Sequence, residues 1–212
     1  MLPSETAAQI AAAAVSAYGV SADVTHDVGA KLTWGVNEMK DLIAYFSRKG
    51  NNYVGGSVEN LPVGNTEVAA KMIQKLTGAD IFRIATVKEY PTDYGKTTEV
   101  ARQELRQNAR PALSSDVDNF DSYDVILLGY PNWWGTMPMA VWTFLEKHDF
   151  SGKTILPFCT HEGSGMGHSE SDIRKLCPHA TVLNGLSVRG GSVRAAEKEV
   201  STWLRESGLA TA

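Results

Sequence analysis

The amino-acid sequence predicts an α/β fold, a doubly wound parallel sheet with helices on both faces. Two observations lead there. From Asp41 onward, short β-rich apolar runs alternate with longer segments of helical period, the pattern of a parallel sheet covered by helices. The apolar runs also keep to strand length, at residues 42–46, 81–84, 125–129, 154–159 and 181–186, which gives five strands. Helical segments are expected at 66–76, 98–109, 138–147, 170–176 and 193–206, the last with Ala196, Val200, Trp203 and Leu204 on one stripe. Right-handed crossovers then place the ligand crevice beyond the carboxyl ends of the strands.

Residues 39–212 read as one domain, with Met39 at the start of its core. Residues 1–38 stand apart. Ala7 to Ala14 suit a short helix, and Gly19, Gly29 and Gly35 interrupt anything longer, so this extension reads as a packing or dimer arm, or a tail. A homodimer is therefore one expectation.

With 43% apolar and 21% charged residues, the composition is that of an ordinary globular protein. A formal charge of −4 argues against nucleic-acid and membrane partners, which call for a basic face. The apolar run at 10–15 is too short to span a bilayer and has no basic residue before it, so a cytoplasmic location is expected. Cys159 and Cys177 match no zinc or redox spacing and read as two buried thiols in a reducing compartment, with a single disulfide as the alternative that counting leaves open.

Three segments following strands carry the chemistry. After the first strand come Ser47 and, later, Gly64-Asn65-Thr66 at the start of a helix. A hydroxyl and helix N-terminal N–H groups suit a phosphate, although Asn65 or Thr66 equally suits a plain helix cap. No dinucleotide fingerprint or ATP P-loop occurs. After the third strand, Pro131-Asn132-Trp133-Trp134-Gly135 offers two indoles beside a glycine, where a flat ring can stack and backbone amides can approach its edge. After the fourth, Thr160-His161-Glu162-Gly163-Ser164-Gly165-Met166-Gly167-His168 can wrap a ring with its backbone and donate from Thr160 or Ser164. His161, Glu162 and His168 carry metal-capable atoms, but their spacing fixes no ligand geometry, and no metal is expected.

Taken together, these three loops resemble the flavodoxin family, in particular its FMN-binding members with a lengthened phosphate loop. The likeness runs from about Asp41 to Leu204 and rests on Tyr45-Phe46-Ser47 with Gly64-Asn65-Thr66, on residues 129–135, and on Phe158-Cys159-Thr160 through Gly165. The resemblance implies a flavodoxin-like sheet of order 2-1-3-4-5. It implies an FMN phosphate on Ser47, Asn65 and Thr66. Pro131, Asn132, Trp133, Trp134 and Gly135 would then form one wall of the ring site, and Thr160, Gly163, Ser164 and Gly165 the other.

Three departures from that pattern bear on function. Residues 51–63 separate the halves of the phosphate loop and are expected to fold over the cofactor or a partner. The connection 88–121 is long, and its Tyr90, Tyr94 and Arg110 either line a substrate approach or pack locally. The third loop has no tyrosine to face the flavin, which weakens the case for a specialised one-electron carrier. Two functions follow from the resemblance. The first is an FMN-dependent NAD(P)H oxidoreductase reducing a quinone or similar small acceptor, with His161 and His168 as weak catalytic candidates. The alternative is an electron carrier between redox-partner proteins.

Overall fold

A computed structural model describes residues 39–209. Strand β1 (Asp41–Phe46) leads through an antiparallel hairpin, β2 (Gly50–Val54) and β3 (Ser57–Leu61), into helix α1 (Asn65–Thr77). Then follow β4 (Asp80–Ile84), α2 (Tyr94–Arg106), β5 (Val125–Pro131), α3 (Met139–Lys147), β6 (Thr154–His161) and α4 (Ser169–Leu176). The chain closes with β7 (Thr181–Val182), β8 (Leu186–Arg189), a 3-10 turn at Gly190–Ala195 and α5 (Glu197–Glu206).

The main sheet is parallel, with order β4-β1-β5-β6-β7, and β8 pairs with β6 further along. Counted by βα unit this is the expected 2-1-3-4-5. Period-two alternation divides β1 between two cores: Leu42, Ala44 and Phe46 join one cluster, Ile43 and Tyr45 the other. The first cluster takes Ala140, Val141 and Phe144 from α3 and Ile173 from α4. The second takes Ala69, Ala70 and Ile73 from α1 and Val200, Trp203 and Leu204 from α5. Helices thus cover both faces.

Four segments differ from expectation, each for a local reason. Helix α2 starts at Tyr94 rather than 98, because the Asp93 side chain caps it by accepting from the Lys96 N–H at 2.8 Å. It ends at Arg106, just before Asn108 enters the left-handed region at φ 48°. The fifth strand is split. Between β7 and β8 the Asn184 carbonyl accepts from Trp203 Nε1–H and the Gly185 N–H donates to Glu170 Oε1, which draws the chain out of the ladder. Helix α5 starts at Glu197, after the 3-10 turn that occupies the first three residues of the expected helix. Finally, residues 51–63 are mostly hairpin. Val54 and Ser57 pair across Gly55-Gly56, whose φ values of 60° and 105° suit a turn that glycine adopts without strain.

The packing or dimer arm, or tail, expected at residues 1–38 lies outside the described residues. No described helix is long and apolar enough to cross a membrane.

Candidate functional site

Strands β1, β5 and β6 lie side by side, with Pro131 in register with Thr160, so the segments leaving their carboxyl ends converge. A cavity of about 560 Å³ opens there, within the usual size of a small-molecule site. Ten of the twelve predicted binding residues line it: Ser47, Asn65, Thr66, Pro131, Asn132, Trp133, Trp134, Thr160, Gly163 and Ser164.

One end is a cradle of hydroxyls. Ser47, where β1 stops, accepts the Glu67 N–H at 3.1 Å and so fixes the start of α1. Thr66 Oγ1 and Thr160 Oγ1 share a hydrogen bond of 2.7 Å, joining the first loop to the third. All three residues are buried. Gly64 makes the closeness possible, since a Cβ there would collide with Ser47 Oγ and the Arg48 carbonyl. In the first turn of α1 the N–H groups of Asn65 and Thr66 have no acceptor within the helix, and the helix dipole favours an anion in front of them. Hydroxyls, a helix N-terminus and a glycine-only approach fit a phosphate group.

No free cation supplies this attraction from Arg48. Its guanidinium donates to the carbonyls of Asn51, Pro91 and Thr92 and to Asn52 Oδ1, and burial lowers its pKa. Arg48 thereby ties the base of the hairpin to the segment before α2. At the tip, Glu162 Oε2 accepts the Gly55 N–H at 3.2 Å and Oε1 accepts the Gly191 N–H at 2.9 Å. The inserted hairpin is fastened at both ends beside the cavity.

The other end is aromatic. Trp133 meets Phe46 and Tyr90 edge to face, with centroids at 5.4 and 5.1 Å. Trp134 is half exposed, has φ 58°, and donates its indole N–H to the Thr98 carbonyl at 3.0 Å. Gly135 and Gly165, the two predicted residues that do not line the cavity, hold Asn132 instead. The Gly135 N–H donates to Asn132 Oδ1 at 3.0 Å, and Asn132 Nδ2 donates to the Gly165 carbonyl at 2.9 Å. Asn132 thus stitches the second loop to the third.

The two histidines part company. His161 lines the cavity; its Nδ1 accepts the Gly163 N–H at 2.9 Å, which leaves the ring proton on Nε2. Burial, helped by the Arg189 charge, lowers its pKa and favours the neutral ring. His168 does not line the cavity. Its Nδ1 lies 2.7 Å from Asp172 Oδ2, which also accepts the Thr136 hydroxyl at 2.7 Å, so the group links the second loop to α4. Of the long connection, Tyr94 lines the cavity. Tyr90 donates to Glu104 and packs on Trp133, while Arg110 pairs with Glu146 at 2.6 Å. The Cys159 thiol is buried and pushed up to about 12 by desolvation, so it is unreactive at neutral pH.

Sequence reasoning did not select Arg48, Asn52, Tyr53, Thr97, Thr98, Ala101, Glu162 or Gly190 as binding residues, yet all of them line the cavity. A signal existed for part of this set. Tyr94, Thr97, Thr98 and Ala101 stand at i, i+3, i+4 and i+7 of α2, one continuous helical face.

The sequence model of the family described as Flavodoxin matches residues 40–207. Flavodoxin 1 of Shigella flexneri is 26% identical over 137 residues, 62% of this chain and 60% of that protein. The chain thus aligns with less than two thirds of the length of the curated relatives it matches. Among solved structures, a protein of Bacteroides eggerthii assigned as a flavoprotein is 30% identical, covers 80% of this chain and 98% of its own, and superposes with a TM-score of 0.66. A flavoprotein of Lactobacillus acidophilus, solved in complex with FMN, shares the fold at 21% identity, 78% and 98% coverage and a TM-score of 0.57.

Proposed function

The chain belongs to the flavodoxin family, and from that premise we propose that it binds one FMN in the cavity and passes electrons from NAD(P)H to a small acceptor such as a quinone. The observation that carries the proposal is convergence. Residues from three separate loops line one cavity, with buried hydroxyls and a helix N-terminus at one end and two indoles at the other, which are the two halves of a monophosphate flavin.

When bound, FMN supplies reversible uptake of one or two electrons. The chain's residues do the rest. Ser47, Asn65, Thr66 and Thr160 bind the phosphate through neutral donors. Asn132 keeps the second and third loops at a fixed separation, the hairpin adds Asn52 and Tyr53 to the cavity wall, and neutral His161 offers an Nε2–H donor at the wall. A wall built from α2 in addition to the three loops supports a substrate-using protein. Half-exposed Trp134 favours a second reading, a carrier that docks a redox-partner protein at the cavity mouth.

Anaerobic titration tests both readings. Protein reconstituted with FMN and desalted should keep near-equimolar flavin, and NADH or NADPH should bleach its absorbance. Bleaching by dithionite alone would favour the carrier. Loss of flavin absorbance on desalting would overturn the cofactor assignment.

A further inference from the structure

Eight residues lining the cavity are not among those just described as holding FMN or belonging to the third loop: Arg48, Asn52 and Tyr53 at the hairpin side, Tyr94, Thr97, Thr98 and Ala101 on α2, and Gly190 after β8. The four from α2 form a single face of two turns, small in its middle and aromatic at its start. Opposite stand two aromatic brackets. Tyr53 reaches in from β2 and lies nearly parallel to Tyr94, with centroids 6.2 Å apart at 28°. Trp134 stands on the other side, held to Thr98 by its indole N–H. It holds this place in the left-handed region, which a bulky side chain rarely adopts, and such strain persists where the surroundings impose it, often at ligand sites.

The chemistry of this slot is narrow. The two charged residues that line the cavity have their donors and acceptors occupied: the Arg48 guanidinium faces carbonyl oxygens, and each oxygen of Glu162 holds a backbone N–H, while Arg102, beside the Trp134 ring, pairs with Glu99. A charged ligand would find no free counterion on any of the three. The threonine hydroxyls donate away from the slot, Thr97 to the Pro91 carbonyl and Thr98 to the Gly95 carbonyl, each at 2.7 Å. The remaining side-chain donors are the phenols of Tyr53 and Tyr94. A ligand suited to this slot is flat, uncharged and carries hydrogen-bond acceptors at its edge.

We propose that the slot between α2, Tyr53 and Trp134 is the acceptor subsite, and that it takes an uncharged planar ring bearing carbonyls, the quinone class. This rests on the reading of the inner cavity as an FMN site. A pyridine nucleotide, with its phosphates, is a poorer occupant of this slot.

The test is binding without turnover. Equilibrium dialysis of 2-methyl-1,4-naphthoquinone against oxidised, FMN-loaded protein should show one saturable site. Thr98→Phe, which fills the slot from a partly buried helix position, should weaken it at least tenfold. Tyr53→Ala, on the exposed hairpin, should weaken it several-fold without risk to the core. The anionic 1,4-naphthoquinone-2-sulfonate should bind at least tenfold more weakly than the neutral ring. FMN affinity measured on the same variants should move less than twofold. Retained FMN with no saturable naphthoquinone site overturns the subsite alone, and so does equal binding by wild type and both variants, or equal binding of the sulfonate. Wild type that retains no FMN overturns the cofactor reading and the subsite with it.

Discussion

At the inner end of the cavity Ser47, Thr66 and Thr160 are 5%, 2% and 5% exposed, and their hydroxyls are committed to partners on other elements. At the outer end Tyr53 and Trp134 are 43% and 51% exposed and are held by one stacking contact and one indole hydrogen bond. The inner end has few alternative arrangements, because moving any hydroxyl leaves a buried polar group unpaired. The outer end can be altered at little cost to folding. One cavity therefore separates affinity for a resident group from access for a passing one.

The contrast breaks most sharply at Gly64. Gly64→Ala forces a methyl into Ser47 Oγ and the Arg48 backbone, so the cradle must open. FMN affinity should fall by about 3 kcal/mol, the upper range for overpacking a tight site, while riboflavin, which lacks the phosphate, loses much less. Equal losses in titrations of the two flavins would show that the cradle does not read phosphate.

The hairpin comes next. Arg48→Met takes the donor from the Asn51 carbonyl and leaves Pro91 and Thr92 with only the Thr97 hydroxyl and the Asn51 N–H, and should cost about 2 kcal/mol of stability. Amide exchange should accelerate across residues 50–61 and remain slow in β5, which has no contact with Arg48 in the hydrogen-bond network. Unchanged exchange in the hairpin would mean that Glu162 and the Asn51 N–H bond to the Thr92 carbonyl suffice to fasten it. Thr66→Ala is milder. It removes one hydroxyl that would meet a charged group and should cost FMN about 1.5 kcal/mol, again sparing riboflavin; the same deficit for both flavins would assign Thr66 to folding.

The inner end was largely legible in the sequence because its residues sit where strands stop, a position that apolar runs reveal. Ser47, Pro131 and Thr160 each lie at or just beyond a run of strand-forming residues. The outer end was harder to read. Tyr53 enters from a hairpin whose strands, Gly50–Val54 and Ser57–Leu61, lack the apolar runs that reveal the sheet strands, so that the turn at Gly55-Gly56 has no pattern on either side to mark it. The α2 face is hidden when the helix starts at 98, since the cap at Asp93 brings in the first turn that carries Tyr94 and Thr97. The split of the fifth strand depends on Trp203 and Glu170 reaching back to residues 184 and 185, long-range bonds that no local pattern announces. Likewise, nothing local shows that both oxygens of Glu162 are bound by backbone N–H groups distant in sequence.

The smallest expected effect concerns Trp134. A left-handed conformation costs an L-residue roughly 1 to 2 kcal/mol, and glycine avoids it. Trp134→Gly gives up the indole bond to the Thr98 carbonyl and the Arg102 side chain that lies 5.6 Å from its ring, both exposed contacts worth about 0.5 to 1 kcal/mol each. These nearly cancel. Urea unfolding should therefore place the variant within about 1 kcal/mol of wild type, although a tryptophan has been removed. If this residue is instead an anchor of the fold, like its partly buried neighbour Trp133 between Phe46 and Tyr90, the loss would exceed 2 kcal/mol. Near-neutral stability with weakened binding in the outer slot would mark Trp134 as a side chain held in strain for a ligand; a large loss would move it, and the second loop's turn, to the rigid side of the comparison.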